Sequence, residues 1–292
     1  MSGPTQPFGA RLHAAMAARG RVCVGIDPHP GLLAAWGLDD DVAGLERFSR
    51  DAVAVLGPLV PALKPQSAFF ERHGSRGVAV LARVLADVRE TGALAVLDVK
   101  RGDIGSTSRA YADAYLDPAS DLAGDAVTLS PFLGLGSLAP FVEAARTHAG
   151  GLFVLALTSN PEGAEVQHAR AADGRSVAAG VLDGLRALNA EDAATARASG
   201  RSPDPLGSFG AVVGATASLP AGADVAIGGP LLAPGMGAQG ADATDVRRLV
   251  GDASPAVLAS TSRQVLAAGP DPDALTAACR SALTAAAPLG AG

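Results

Sequence analysis

Lysine is nearly missing from this 292-residue chain. Of its 23 basic residues only Lys64 and Lys100 are lysines; the rest are arginine. Cysteine is almost as scarce. Two thiols, Cys23 and Cys279, do not make a disulfide framework and read as small buried hydrophobes in a reducing compartment. There is no basic run, and the net charge of −6 argues against a nucleic-acid-binding surface. No apolar stretch crosses a bilayer length without polar or turn residues, so no membrane association is expected. The opening residues, MSGPTQPFGARLHAAMAARG, lack an apolar segment with a cleavage site, so no secretory signal is read there. His13, His29, His73, His148 and His168 show no metal-ligand spacing and read as surface or packing residues. A soluble, cytoplasmic protein without a metal site is the expectation.

What is there in quantity is apolar. The chain is 48% hydrophobic, with 36 glycines, and its length suits a single domain spanning residues 1–292. Apolar, β-branched runs recur at Val22–Asp27, Ala62–Gln66, Leu94–Lys100, Ala126–Pro131, Leu152–Ser159, Gly210–Thr216, Leu231–Pro234 and Pro255–Ser262. Between them lie stretches of helical spacing, clearest at Val78–Arg89 and Val177–Leu188. Strands that are apolar almost throughout are strands buried on both faces. Eight of them alternating with helices predict an α/β fold of the closed (β/α)8, or TIM-barrel, kind. An open doubly wound sheet fits part of the pattern but not eight units without surplus. Phe8–Arg19 is expected to be a helix covering the barrel bottom. Asn189–Ser208 reads as an inserted polar loop, and Ala285–Gly292 as a tail with little to pack against.

In such a barrel the chemistry sits at the C-terminal strand ends. Those ends carry Asp27, Lys64, Asp98 with Lys100, Ser130, Ser159, Thr216, the segment after Pro234, and Ser262 with Arg263. Both lysines thus fall in apolar, strand-like runs, PALKPQ and AVLDVK. A lysine is compact, and its pKa responds to its surroundings, unlike that of arginine. Asp98 and Lys100 are two apart and face the same side of their strand, with Val99 turned toward the helices. Lys64, on the neighbouring strand, reaches the same spot, and Asp103 lies just beyond. Buried charges persist when paired and hydrogen-bonded, and the alternating set Lys64, Asp98, Lys100, Asp103 meets that condition. The plain alternative is an ion-pair network that only closes the barrel top. It brings no clear stability gain.

A second signal follows the seventh run. Pro234-Gly235-Met236-Gly237-Ala238-Gln239-Gly240 has three glycines in six residues, which lets backbone N–H groups approach an anion. The eighth run ends in Ser260-Thr261-Ser262-Arg263, and an arginine fork suits a phosphate. Loops after strands seven and eight are the usual phosphate site of these barrels. A phosphorylated small molecule is therefore the expected ligand.

These motifs resemble the orotidine 5′-phosphate decarboxylase family. Asp98-Val99-Lys100-Arg101-Gly102-Asp103-Ile104-Gly105-Ser106-Thr107 fits the family pattern D-x-K-x-x-D-I-x-x-T at every fixed position. Val24-Gly25-Ile26-Asp27, Leu63-Lys64-Pro65-Gln66 with Phe69-Phe70-Glu71, Thr158-Ser159-Asn160-Pro161 and Pro234 to Gly240 follow in the family's order. The resemblance spans about residues 8–280 and looks like the bacterial type 2 branch. It implies cofactor-free decarboxylation of a nucleotide substrate in UMP synthesis. Lys100 would protonate C6 of the pyrimidine, and Asp98 would sit against the substrate carboxylate. Lys64 and Asp27 would contact the ribose, Ser159 the pyrimidine, and Gln239 and Arg263 the phosphate, with Pro234 in the same segment. It further implies a homodimer with shared active sites, into which Asp103, Ile104 and Thr107 reach from the partner. A sugar-phosphate branch of the superfamily uses magnesium and an acidic residue where this chain has Lys64; an ammonium there repels a metal. A non-catalytic sensor barrel is the other alternative. It would need the arginine and glycine loop but not both lysines and both aspartates.

Overall fold

The computed structural model describes residues 6–237 and 240–290. Eight strands close into a barrel in sequence order, every neighbouring pair parallel. They are β1 (Val22–Ile26), β2 (Ala62–Pro65), β3 (Leu94–Arg101), β4 (Ala126–Leu129), β5 (Gly151–Leu157), β6 (Phe209–Val213), β7 (Leu231–Pro234) and β8 (Val257–Thr261). Helices alternate with the strands around the outside. The predicted (β/α)8 architecture is what the chain adopts.

Period-2 alternation divides the barrel's apolar residues into two cores. Outward residues such as Val22, Val24, Ile26 and Leu63 pack against the helices. Inward residues Cys23, Ala62, Leu94, Val96, Ala126, Phe153, Val212, Leu232 and Leu258 form a second, interior cluster. The helix Phe8–Arg19 closes that cluster from below with Phe8, Leu12 and Met16, and the Phe8 ring meets Phe153 edge-on at 5.9 Å. Two residues further along five of these strands the inward position changes character. Cys23 gives way to Gly25, Ala62 to Lys64, Val96 to Asp98, Ala126 to Thr128 and Leu258 to Ser260. Lys64, Asp98, Thr128 and Ser260 are all buried, so the polar tier rests directly on an apolar floor.

Three expectations need correction. The stretch Asn189–Ser208 is not all loop: one helix runs unbroken from Val177 to Ala198. Its outer half is polar because it faces solvent, while its alanines keep helix propensity high. Asn189 is buried and works as a staple. Its Nδ2 donates to the carbonyls of Phe209 (2.8 Å) and Ile227 (3.0 Å), and its Oδ1 accepts the Phe209 N–H. The tail does not fray through residue 290. The helix Pro272–Ala286 continues into a 3₁₀ turn, Ala287–Gly290, whose Leu289 is fully buried and whose carbonyl accepts from Ser254 Oγ at 2.7 Å. Buried Leu289 and the Arg247 hydrogen bond to the Pro288 carbonyl (3.2 Å) anchor it, too short a signal to read from composition. The sixth run also ends earlier than expected, at Val213, because Gly214 starts a turn.

Candidate active site

Asp98 is the hub of the polar tier. Lys64 Nζ donates to its Oδ2 at 2.8 Å and Lys100 Nζ to its Oδ1 at 2.5 Å. Thr128 Oγ1 donates to the same Oδ1 at 2.7 Å. Burial alone would raise the Asp98 carboxyl pKa. The charges of Lys64 and Lys100 and their hydrogen bonds outweigh it and hold the carboxyl well below the usual carboxylate range. Burial alone would likewise lower Lys64; Asp98, then Asp27, more than reverse this and keep it firmly protonated. Both groups are thus charged across neutral pH. Beneath them, burial pushes the Cys23 thiol up to about 12, an inert floor of the kind expected for it. Cys279 is also free and buried.

The backbone departs from strand geometry at this point. Pairing between β3 and β4 shifts register between Leu97 and Arg101, and Lys100 takes φ of +46°. That left-handed conformation is unusual for a residue with a side chain. It is held in part by Thr128, whose Oγ1 accepts the Lys100 N–H at 3.0 Å. Lys100 still meets Asp98 on the inner side, and Val99 packs in the outer core as expected. Thr128 was not among the sequence candidates. Its signal is a hydroxyl at an inward position of an otherwise apolar run, one residue before the strand end.

The remaining candidates ring the mouth. Asp27 follows β1, and its Oδ1 is buried without a hydrogen-bond partner among the described residues. It faces Ser262 across Gly25, where a Cβ would stand 3.0 Å from both the Asp27 carboxylate and Ser262 Cβ. Glycine at 25 therefore keeps this corner open. Ser262 Oγ is likewise buried and unpartnered among the described residues. Arg263 begins the short helix Arg263–Leu266, is exposed, and has no ion-pair partner among the described residues. Pro234 ends β7, and its carbonyl accepts the Ala215 N–H at 2.9 Å. Gly235 and Gly237 beyond it take φ of +97° and +79°, as the glycine run suggested. Gln239 lies outside the described residues. A cleft of about 510 Å³ lined by Thr216, Gly240, Asp245 and Arg248 flanks this loop on one side. A separate cavity of about 130 Å³ lies between Met236, Gly237 and Thr261 and the C-terminal helix residues Ser281, Ala282 and Ala285. Ser159 is exposed after β5, where the Thr158 N–H donates to Gln167 Oε1 at 3.0 Å.

Asp103 does not join the lysine network within one chain. Its Oδ1 accepts the Ile104 N–H at 2.8 Å, while both lysine ion pairs go to Asp98. Ile104 is 62% exposed at the start of the helix Gly105–Leu116, and Thr107 is exposed on its first turn. The neighbouring loop after β4 holds Phe132, 76% exposed, and Leu133, 52% exposed. These two went unread, because a lone Phe-Leu pair in sequence carries no mark of exposure. Among the described residues, no group of three or more His, Cys, Asp or Glu side chains is arranged to hold a metal ion. No helix among them is long and apolar enough to cross a membrane.

A barrel with a lysine–aspartate–lysine cluster on its inner strand ends, Lys64 and Asp98 buried and Lys100 open to the mouth, is the build of a (β/α)8-barrel enzyme. Residues 20–278 match the model of the orotidine 5′-phosphate decarboxylase / HUMPS family. The chain belongs to that family and is a carboxy-lyase. It is 63% identical to the orotidine 5′-phosphate decarboxylase of a Nocardioides species over 272 residues, covering 92% of this chain and 94% of that one. It is 58% identical to the Streptomyces coelicolor enzyme of the same name, covering 95% and 96%. A crystal structure of a Streptomyces avermitilis protein, 56% identical, superposes with a TM-score of 0.92 over 100% of this chain and 98% of that one.

Proposed function

We propose that this chain, acting as one barrel domain, converts orotidine 5′-monophosphate to UMP and carbon dioxide without a metal or cofactor, in de novo pyrimidine synthesis in the cytoplasm. The observation that carries the reading is the single buried carboxylate, Asp98, held between two ammonium groups. In this mechanism the bond from C6 to the carboxyl carbon breaks and its electron pair stays on C6. The ring offers that pair poor delocalisation. Lys100 stabilises the developing charge and transfers its proton to C6, and solvent then reprotonates the amine. Asp98, beside the substrate carboxylate, repels it until carbon dioxide leaves, and keeps Lys100 in reach. Lys64 neutralises Asp98 from the other side and, with Asp27, faces the ribose hydroxyls. Ser159 meets the pyrimidine.

The family also contains the magnesium-using sugar-phosphate branch. The buried Lys64 occupies the place where that chemistry wants a carboxylate. Purified protein is therefore expected to release carbon dioxide from orotidine 5′-monophosphate at an undiminished rate in EDTA. A loss in EDTA restored by magnesium would overturn the metal-free reading.

The phosphate goes to the loop after β7, with Gln239, and to Arg263. Losing a charged hydrogen-bond partner costs about 1.5–3 kcal/mol, which is about 10–100-fold in affinity. Arg263→Ala should weaken nucleotide binding by that factor and leave nucleoside binding nearly unchanged. Equal weakening of both in calorimetry would remove Arg263 from the phosphate site. The exposed Ile104, Phe132 and Leu133 suit burial in a homodimer, with Asp103, Ile104 and Thr107 entering the partner's site.

A further inference from the structure

Lys100 needs more than Asp98 to hold it. Its left-handed backbone is a conformation that persists only where surrounding contacts determine it. Thr128 fixes the N-terminal side through the Lys100 N–H. Arg101 fixes the C-terminal side. Its carbonyl accepts the Ser130 N–H at 2.8 Å, which restores the β3–β4 pairing after the register shift. Its guanidinium turns back and donates to the Val99 carbonyl at 3.1 Å and to Glu71 Oε1 at 2.6 Å. It also lies over the Tyr111 ring, 5.7 Å from the centroid. Glu71 ends the short helix Ser67–Glu71, which begins two residues after β2, the strand that carries Lys64. Ser67 Oγ donates to the same Glu71 oxygen and orients the carboxylate. One ion pair thus joins the segment after Lys64 to the residue after Lys100.

Stability alone does not account for this arrangement. The Arg101 and Glu71 side chains are 30% and 38% exposed, and an exposed pair contributes little to folding. What the pair does control is the angle at which the strand leaves its left-handed residue. We propose that Arg101 and Glu71 are a positioning pair that aims the Lys100 amine at the reacting carbon. The inference rests on Lys100 as the proton donor. Neither side chain need touch the substrate.

The test uses Arg101→Met, Glu71→Gln, the double variant and Lys100→Ala, each measured for kcat, KM and melting temperature. Misplacing a reacting group by about 1 Å can cost about 100-fold. Each single variant is expected to lower kcat about tenfold or more, with KM changed by less than about threefold and the melting temperature nearly unchanged. The double variant should lose no more than the worse single, because either change breaks the same pair. Singles that keep kcat within about twofold, beside an inactive Lys100→Ala, would overturn the positioning pair and leave the proton donor standing. Losses of activity that track a fall in melting temperature would overturn it in favour of a structural role. Turnover by Lys100→Ala would instead remove the reading on which the pair depends.

Discussion

Lys100→Ala is expected to lower turnover of orotidine 5′-monophosphate by about 10⁴-fold or more while nucleotide binding stays measurable. A positioned general acid is worth about 10²–10⁴-fold, and fixed charge at a developing carbanion adds to it. In the proposed mechanism Lys100 supplies both. The arginines nearby do not substitute, because a guanidinium holds its proton too tightly to give it up. Lys64 does not substitute either: it is buried and bound to Asp98 at 2.8 Å, and Asp98 and Asp27 raise its pKa further. Substantial turnover by the variant would end the proton-donor assignment. The same protein tests the shared site. Mixed with Asp103→Ala chains, each inactive alone, it should recover part of the activity, because one of the two sites in a mixed dimer keeps both residues. No recovery with subunit exchange demonstrated would count against Asp103 acting in the partner's site.

The second large effect is on stability. Asp98→Asn leaves two ammonium groups facing a neutral amide, one of them buried. Breaking a buried pair in this way costs about 3–5 kcal/mol, a large share of what a domain has. The cost should depend on pH in a definite direction. The folded Asp98 carboxyl lies below its ordinary value of about 4. Its contribution is therefore full above that value and fades as pH falls below it. The Lys64 contribution runs the other way: its pKa is raised, so it is full below the ordinary lysine value of about 10 and fades only at higher pH. Denaturant unfolding of the native chain and Asp98→Asn should show a wide gap from about pH 5 to 9 that narrows toward pH 3. A gap that stays constant into acid would mean that Asp98 is not held ionised by its lysines.

Much of this was legible from residue order because the barrel repeats one rule. Apolar runs marked all eight strands, and the two-residue spacing put Asp98 and Lys100 on one side. The rarity of lysine drew attention to Lys64 before any geometry was known. What the spacing did not carry was the change of backbone at Lys100. A left-handed residue and a register shift leave no mark in a run as regular as AVLDVK. Strand periodicity reached the right cluster, but Asp98 and Lys100 meet across a bend and not along a straight strand. Thr128 lies one step inward of its strand end, so the rule that chemistry sits at strand ends does not reach it. Asp103 is close to the cluster in sequence, but within one chain its carboxylate caps Ile104 and both lysines pair with Asp98. Asn189 was hidden in a polar stretch whose composition suits both a loop and an outward helix face. Its burial is decided by the two carbonyls it bridges, which belong to distant residues.

The scarcity of lysine has one more consequence, for covalent chemistry directed at amines. Acylating and reductive-alkylating reagents find few targets on a surface written in arginine. Of the two ε-amines, Lys64 is 8% exposed and locked to Asp98, whereas the Lys100 side chain is 46% exposed. The more exposed amine in a single chain is that of the residue proposed to carry the chemistry. Labels and cross-linkers that are innocuous on lysine-rich proteins are, for this chain, directed at its proposed active site.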